Sequence, residues 1–263
     1  MRILLTNDDG IGAPGINVMA EHLIRVGHEV IVVAPEAEKS ASSHSITVHS
    51  PMRVIEKEKN RYAVTGSPVD SVIVACEVIM KGRCDLVVSG INGGPNLGED
   101  VLYSGTVGAA IEAMFFGYPA IAVSLNSRKN EHFSTAARVI TELISDGVTE
   151  IIKPETILSI NVPAVKYEDL KGYKVTRTGR RRYVDFVVEQ KDPKGRPIYW
   201  LGGENPKWIE EEGTDIAAII ENYVSITPIS PKFTDESSFP VVQDWINKLS
   251  DNSTGWYSGN EVR

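Results

Sequence analysis

The chain has 263 residues, 42% of them hydrophobic and 24% charged, which is typical of a globular protein that buries a sizeable core. Because 35 Asp and Glu outnumber 27 Lys and Arg, the formal net charge is -8, which argues against long nucleic acids and anionic membranes as partners. Two cysteines are too few for a disulfide framework, and no charged segment precedes an apolar one at the start, so we expect a cytoplasmic protein.

The first 35 residues have the pattern of a β-α-β unit. Residues 2–5 predict a buried strand, apolar positions over 16–26 recur with a helical period, and 29–34 predict a second buried strand. This order indicates a parallel sheet. A dinucleotide-binding protein carries a glycine fingerprint after the first strand, and this chain has Asp8 and Asp9 there, so that class is disfavoured.

Asp8 and Asp9 follow the first predicted strand directly. In an open α/β sheet, ligands bind at the carboxyl ends of parallel strands. Adjacent carboxylates raise each other's pKa unless a cation compensates, and a hard divalent metal is a suitable cation. The alternative is that Asp9 and Gly10 only form a turn, which accounts for most Asp-Gly pairs.

The second strand leads into a polar loop over residues 36–50, rich in serine and containing two histidines. A long polar loop at this sheet edge is typical of a functional segment. Ser40 can offer a hydroxyl oxygen to a hard cation, while His44 and Ser45 can contact a phosphate or a leaving group. The alternative is that the serines satisfy turn backbone and that His44 makes an ordinary polar contact.

Residues 85–89 predict another buried strand, followed by the glycine-rich stretch GINGGPNLGEDVLYSGTVGAA. Ser104, Gly105 and Thr106 begin a predicted helix, where free N–H groups and hydroxyls can bind an anion. Asn92 can supply a neutral oxygen to a metal, and Asn96 can donate to a phosphate oxygen. Plain N-capping also explains Ser104 and Thr106, but it does not explain the glycines upstream.

The remaining elements follow from periodicity and turn residues. Asp70 lies in the first turn of a predicted helix and is suited to compensate its dipole. Thr214 and Asp215 are well placed to cap a helix. In chain order we predict strands at 52–56 and 61–65, a helix at 67–79, a helix at 106–116, a strand at 119–124, a helix at 135–144, a strand at 156–162, a hairpin over 183–201, a helix through 219–220, a strand at 223–227 and an amphipathic helix at 241–249.

Four blocks of sequence, taken together and in this order, resemble the SurE (survival protein E) family of metal-dependent nucleotidases. They are NDDGI, SASSHSIT, SGINGGPNLGEDVLYSGTVGAA and TDIAAIIENYVSITPI, and they span nearly the whole chain. The resemblance implies that one divalent cation, Mg²⁺ or Mn²⁺, is held by Asp8, Asp9, Ser40 and Asn92. It also implies that the phosphate is cradled by Asn96, Ser104, Gly105 and Thr106. Ala41 departs from the family, which often has glycine there.

The expected fold is α/β, with a Rossmann-like, mostly parallel sheet flanked by helices. We expect residues 1–165 to form the catalytic core and 166–263 to supply a β-hairpin and C-terminal segment, with a strand near 223–227 returning to the core. The resemblance implies that the hairpin and the C-terminal segment serve homo-oligomerisation, as a dimer or a tetramer.

The resulting hypothesis is a phosphomonoesterase that converts nucleoside monophosphates to nucleoside and phosphate, a 5'-nucleotidase. The resemblance adds 3'-nucleotides and short polyphosphate as further substrates. Asp8, Asp9 and Asn96 are the catalytic candidates, and His44 is the candidate acid for the leaving oxygen. A covalent role for Asp8 is disfavoured, because aspartyl-phosphate enzymes typically carry Asp-x-Asp-x-Thr. A nucleotide sensor without turnover is the alternative from another class.

Overall fold

The computed structural model describes residues 1–127, 129, 131–182, 187–201 and 207–253. It forms two compact units, Met1–Ser230 and Pro231–Arg263. The first unit contains the main sheet and the predicted site, and the described part of the second contains a 3₁₀ turn, Glu236–Ser238, followed by one α-helix.

Strands provide the frame of the first unit. In the described residues they are, in chain order, β1 (Arg2–Thr6), β2 (Glu29–Pro35), β3 (Val54–Glu58), β4 (Arg61–Val64), β5 (Leu86–Gly93), β6 (Ala120–Leu125), β7 (Ile157–Val162), β8 (Tyr173–Val175), β9 (Arg180–Arg182), β10 (Val187–Lys191), β11 (Pro197–Leu201), β12 (Lys207–Ile209) and β13 (Val224–Ile229). Nine of them form one sheet in the order β3-β4-β2-β1-β5-β6-β7-β13-β8. Within this sheet only β3–β4 and β7–β13 pair antiparallel, so the sheet is mostly parallel.

The helices of the described chain are α1 (Pro14–Arg25), α2 (Pro68–Val74), α3 (Gly105–Phe115), α4 (Phe133–Ser145), α5 (Val148–Ile151), α6 (Asp215–Ile220) and α7 (Phe239–Ser253). A π-helical turn, Ala75–Ile79, continues α2. None of these helices combines the length and the apolar character that a membrane span needs.

Helices cover both faces of the sheet, because successive strand residues point to opposite sides. Ile3 and Leu5 pack in one apolar cluster with side chains of α1 and α4. Leu4 packs in a second cluster with side chains of α2 and α3. Each fully buried Leu or Ile contributes about 1.5–3 kcal/mol relative to an exposed one, so these clusters hold the layers together. The expected α/β fold with a mostly parallel, helix-flanked sheet is confirmed.

One strand boundary differs from the sequence prediction in a way that affects the site. β5 continues to Gly93, four residues past the predicted end at Ser89. Pairing with β6 resumes after an irregularity, with Asn92 opposite Ser124. Asn92 therefore lies on the end of a strand and not in the following loop, which gives its side chain a fixed backbone.

The appendage region also differs in detail from the sequence prediction. The predicted hairpin is present as β10 and β11, whereas its predicted beginning at 183–186 lies outside the described residues. The predicted strand at 223–227 is present as β13, inside the main sheet. The compact units divide after Ser230, so β8, β13 and the hairpin belong to the first unit.

Candidate active site

The turn after β1 holds the two acids in place. The Asn7 side chain donates to the carbonyl of Gly10 at 2.9 Å and accepts from the Gly10 N–H at 3.2 Å. This short ring fixes the backbone on either side of Asp8 and Asp9. Asp8 is only 5% exposed, which is unusual for a carboxylate and requires a compensating group.

Among the described residues, Asp8 has a hydroxyl partner and no cationic one. Its Oδ1 accepts a hydrogen bond from the Thr106 hydroxyl at the start of α3. The pKa of Asp8 is raised to about 6: burial is the largest cause, the Thr106 hydrogen bond opposes it, and the charge of Asp9 adds to the increase. A carboxyl in this state gains most from a positive charge placed beside it.

Asp9 is anchored to the end of β5. Its Oδ2 accepts from the Gly93 N–H at 2.9 Å, which brings Asp9 next to Asn92. Burial raises the pKa of Asp9, and the nearby charge of Glu38 adds to that increase. No lysine or arginine lowers the pKa of Asp8 or Asp9 in the described part of the chain.

A backbone hydrogen bond holds the serine-rich loop next to Asp8. The Lys39 N–H donates to the carbonyl of Asp8 at 2.7 Å, so Ser40 follows directly beside the acids. The Ser40 hydroxyl donates to Glu38 Oε1 at 2.6 Å. Glu38 is a site residue that sequence reasoning missed, because an exposed glutamate in a polar loop carries no distinguishing pattern.

Asn92 completes a set of oxygen donors. Its side-chain nitrogen donates to the Gly94 carbonyl at 2.8 Å, and within the described residues its Oδ1 accepts no hydrogen bond. The four predicted metal ligands thus lie around one strand edge. Fewer than three His, Cys, Asp or Glu side chains converge anywhere in the described ranges, so a cation here would rely on two carboxylates plus neutral oxygens. That donor set suits a hard divalent cation.

The start of α3 lies against Asp8. The Ser104 hydroxyl accepts from the Val107 N–H at 3.1 Å, as an N-cap does. A Cβ on Gly105 would lie 2.4 Å from Ser42 Oγ and 2.9 Å from Asp8 Cβ, so only glycine allows this approach. Ser42 Oγ is buried without a hydrogen-bond partner among the described residues, which leaves an unused donor at the helix start.

Asn96 is held in the loop between β5 and α3 by buried polar partners. Its backbone N–H donates to Asn161 Oδ1, and its carbonyl accepts from Asn161 Nδ2, both at 3.0 Å. Its side-chain nitrogen donates to Ser124 Oγ at 2.8 Å. Sequence reasoning missed Asn161 and Ser124, although an asparagine inside the apolar strand ILSINV was a usable signal.

The backbone of His44 lies against the first turn of α3, since a Cβ on Gly108 would lie 3.1 Å from His44 Cα, but its imidazole is directed further along the helix. Its Nε2 pairs with Glu112 Oε2 at 2.8 Å, and its ring contacts that of Phe115 at 5.7 Å between centroids. Glu112 lies seven residues after Gly105, which is about 10 Å along a helix axis. The imidazole of His44 thus lies about two turns from Gly105.

A cleft of about 470 Å³ lies beyond the glycine-rich loop, between that loop and the segment that leads into β9. Its lining residues are Gly98, Glu99, Val101, Leu102, Arg177, Thr178, Gly179, Arg180 and Glu211. Asp215, the first residue of α6, joins the two walls. Its carboxylate accepts from the N–H groups of Gly98 at 2.8 Å and Gly179 at 2.7 Å.

Fold and geometry together define a class: an α/β protein whose sheet edge combines a buried and a half-buried carboxylate, neither with a cationic partner among the described residues, with a helix N-terminus. Three comparisons narrow that class. The family model described as Survival protein SurE matches residues 3–185. The chain therefore belongs to the SurE family.

Individual relatives agree with this assignment over almost their whole length. The protein named 5'-nucleotidase SurE of Haemophilus influenzae (strain PittGG) is 46% identical over 248 residues, which cover 94% of this chain and 98% of that protein. The protein of the same name from Xanthomonas campestris pv. campestris (strain B100) is 43% identical over 252 residues, covering 95% and 97%. The crystal structure of the SurE protein from Aquifex aeolicus superposes with a TM-score of 0.84 at 40% identity, covering 93% of this chain and 99% of that chain.

Proposed function

We propose that this protein is a divalent-metal-dependent 5'-nucleotidase, which hydrolyses nucleoside monophosphates to nucleoside and inorganic phosphate. The observation that carries the proposal is the meeting of Asp8, an acid whose pKa is raised to about 6 by burial, with the start of α3. An excess of negative charge beside an anion-binding helix start would be compensated by a divalent cation held by these acids. Relatives named 5'-nucleotidase support the same reaction.

The proposed cation ligands are Asp8, Asp9, Ser40 and Asn92. When bound, a Mg²⁺ or Mn²⁺ ion supplies Lewis-acid polarisation of a phosphoryl oxygen and a positive charge for the water that attacks phosphorus. Thr106 acts on Asp8, because its hydroxyl fixes the orientation of Oδ1. Glu38 acts on Ser40 in the same way.

The proposed phosphate contacts are Asn96, Ser104, Gly105 and Thr106. Asn96 lies in the glycine-rich loop, and the other three lie at the N-cap and first turn of α3, where backbone N–H groups have no helical acceptor. Such donors stabilise the charge that develops on the equatorial oxygens during phosphoryl transfer. The unused hydroxyl of Ser42 lies over Gly105 and adds a further donor there.

In the reaction, a water oxygen bonds to phosphorus and the bond from phosphorus to the nucleoside oxygen breaks. The leaving oxygen gains a proton to balance the one that water loses. His44 is the proposed donor of this proton. Its Nε2 is held by Glu112, so its side chain must rotate away from that contact before it reaches a substrate at the α3 start.

The proposal also covers the cellular compartment, the oligomeric state and additional substrates. We place the protein in the cytoplasm, where its two free cysteines suit a reducing compartment. We expect it to act as a homo-oligomer, a dimer or a tetramer. 3'-Nucleotides and short polyphosphate are the proposed additional substrates.

The test is phosphate release from a panel of nucleoside monophosphates, with metal-stripped protein titrated with Mg²⁺ or Mn²⁺. We expect metal-dependent release that falls by about 100-fold or more in Asp8→Asn, because one of two carboxylate donors is lost. Asp146→Asn, which changes an exposed aspartate at the end of α4, should behave as the wild type. Metal-dependent nucleotide binding without release from any phosphomonoester would identify a sensor instead.

A further inference from the structure

A row of polar residues crosses the carboxyl edge of the sheet, where the neighbouring positions are apolar. In register, Asn92 of β5 lies opposite Ser124 of β6, Ser124 opposite Asn161 of β7, and Asn161 opposite Ser225 of β13. Asn92, at one end of this row, is a predicted metal ligand. The row therefore connects the interior of the sheet to the site.

Asn161 is the member of the row that reaches out of the sheet. It is 1% exposed and lies between Ile160 and Val162 in a strand whose residues are all buried. A buried amide is tolerated when its donors and acceptor are satisfied. Here both its oxygen and its nitrogen bond to the backbone of one residue, Asn96, each at 3.0 Å. The Asn161 side chain thus makes the two hydrogen bonds that the backbone of a neighbouring strand would make. It thereby holds Asn96, which lies in a loop.

Ser124 fixes the side chain of the same residue. Its hydroxyl oxygen accepts from Asn96 Nδ2 at 2.8 Å. A side-chain amide nitrogen carries two hydrogens, so one remains for a further acceptor. With backbone and side chain both fixed, that hydrogen has a defined direction before any ligand arrives, which is the condition for effective stabilisation of a developing charge.

We propose that Asn161, assisted by Ser124, is a positioning residue for the reaction: it holds Asn96 so that the amide donates to a non-bridging oxygen of the substrate phosphate. This inference rests on the proposed function, because it takes Asn96 as a phosphate contact. Asn161 acts through Asn96 and does not itself touch the substrate.

The central experiment compares Asn161→Leu, Asn96→Ala and the double variant, each assayed for nucleotide hydrolysis with saturating metal. Leucine keeps the branched shape and the number of side-chain heavy atoms of asparagine and removes both hydrogen bonds. We expect Asn161→Leu to lower kcat/KM by about 10- to 100-fold, as loss of a supporting hydrogen-bond partner typically does. Because Asn161 acts only through Asn96, Asn161→Leu should cost nothing more in the Asn96→Ala background. Independent, multiplicative losses would overturn the proposal.

Two controls separate positioning from general damage. Ser159→Ala changes a buried polar residue on the same face of β7, two positions earlier, and should keep wild-type activity. The affinity for Mn²⁺ alone should remain within about twofold in Asn161→Leu, because Asn92 keeps its own backbone; an activity loss explained by metal loss overturns the inference. If Asn161→Leu does not fold, Ser124→Ala, alone and combined with Asn96→Ala, provides the same comparison with a smaller change.

Inorganic phosphate binding, measured by calorimetry with metal present, separates this inference from the proposed function. If the wild type releases no phosphate from any nucleotide, the proposed function fails, and phosphate affinity alone decides the inference. Weaker binding in Asn161→Leu, to the same degree as in Asn96→Ala, supports positioning. Unchanged affinity in Asn161→Leu, or a wild type that binds no phosphate, overturns it.

Discussion

Asp8 shows how a functional side chain conflicts with the stability of the fold around it. The residue is buried, has no cationic partner within the described chain, and follows a strand whose central residues, Ile3, Leu4 and Leu5, are apolar and fully buried. An ionised carboxylate in such a place destabilises the fold. Its presence is explained by its role in ligand binding. Function and stability therefore make opposite demands on this position.

The first prediction concerns the metal-free protein. The pKa of Asp8 is about 6 in the folded chain against an ordinary value of 3.8, so the folded state binds the proton more tightly than the unfolded state does. The free energy of unfolding of the metal-free protein should therefore decrease as pH rises from 4 to 7. Asp8→Asn removes this ionisation and should stabilise the metal-free protein at pH 7 by up to about 3 kcal/mol.

Chemical denaturation at pH 4, 5, 6 and 7 in the presence of a chelator measures this effect. The gain from Asp8→Asn should shrink towards zero at pH 4, whereas Asp146→Asn should show no such trend. Addition of Mn²⁺ at pH 7 should reverse the order, since the metal stabilises the wild type and binds the variant poorly. A pH-independent difference between Asp8→Asn and the wild type would contradict this account.

At the scale of elements, the site consists of loops that buried side chains fasten to rigid parts of the fold. The Asp70 carboxylate accepts from the backbone N–H of Thr47, at 3.0 Å, and from its hydroxyl, at 2.6 Å, which ties the end of the serine-rich loop to α2. Asp215 ties the glycine-rich loop to the segment before β9. Both aspartates lie in the first turn of a helix, where the helix dipole favours a negative charge.

A prediction at this scale concerns Asp215→Asn. The change replaces one carboxylate oxygen by an N–H₂ group, which cannot accept from a backbone N–H, so either Gly98 or Gly179 loses its partner. We expect a loss of about 1–3 kcal/mol in the free energy of unfolding, together with lower kcat/KM because the loop that carries Asn96 is released. Urea denaturation and steady-state kinetics provide the two measurements.

Asp169→Asn is the matched control for Asp215→Asn, since Asp169 ends an exposed 3₁₀ turn and its carboxylate holds no loop. It should leave the denaturation midpoint and the kinetics unchanged. Wild-type stability in Asp215→Asn would show that the two backbone contacts contribute little.

The sequence predicted the longer elements because their signals are local, whereas the short strands β8, β9 and β12 and the short helix α5 were not predicted. Apolar runs, helical periods and caps such as Thr214, whose hydroxyl accepts from Ala217 N–H at 3.2 Å, depend on neighbours a few residues away. The grouping of Asp8, Asp9, Ser40 and Asn92 at one edge also followed, because parallel strands end on the same side. The end of β5 was missed, since pairing at Asn92 resumes only after an irregularity that β6 supports.

Contacts between distant residues could not be predicted. Asn161 and Asn96 are 65 positions apart, and nothing near either residue indicates the other. The same applies to the pairing of His44 with Glu112, which moves the imidazole away from the position that the loop's composition suggested. Such pairs depend on the final packing of elements, and local pattern carries no information about it.

On the scale of the whole molecule, the β10–β11 hairpin and α7 are among the described regions that present several apolar side chains to solvent. On the β10–β11 hairpin, Trp200 is 59% exposed and Leu201 75% exposed. In the second compact unit, α7 exposes Phe239, Val242, Trp245, Ile246 and Leu249. A helix with an uncovered apolar stripe gains little stability by itself in water, and patches of this kind mark interaction surfaces.

The last prediction is that α7 takes part in homo-oligomer formation. In sedimentation velocity the full chain should migrate as a dimer or larger species. Trp245→Glu, which places a charge in the apolar stripe, should shift the population towards monomer, because an unpaired charge is costly in a buried interface. Asn247→Glu introduces the same charge on the polar side of α7 and should leave the assembly intact. A wild type that stays monomeric at all concentrations, or equal dissociation of both variants, would exclude α7 as the interface.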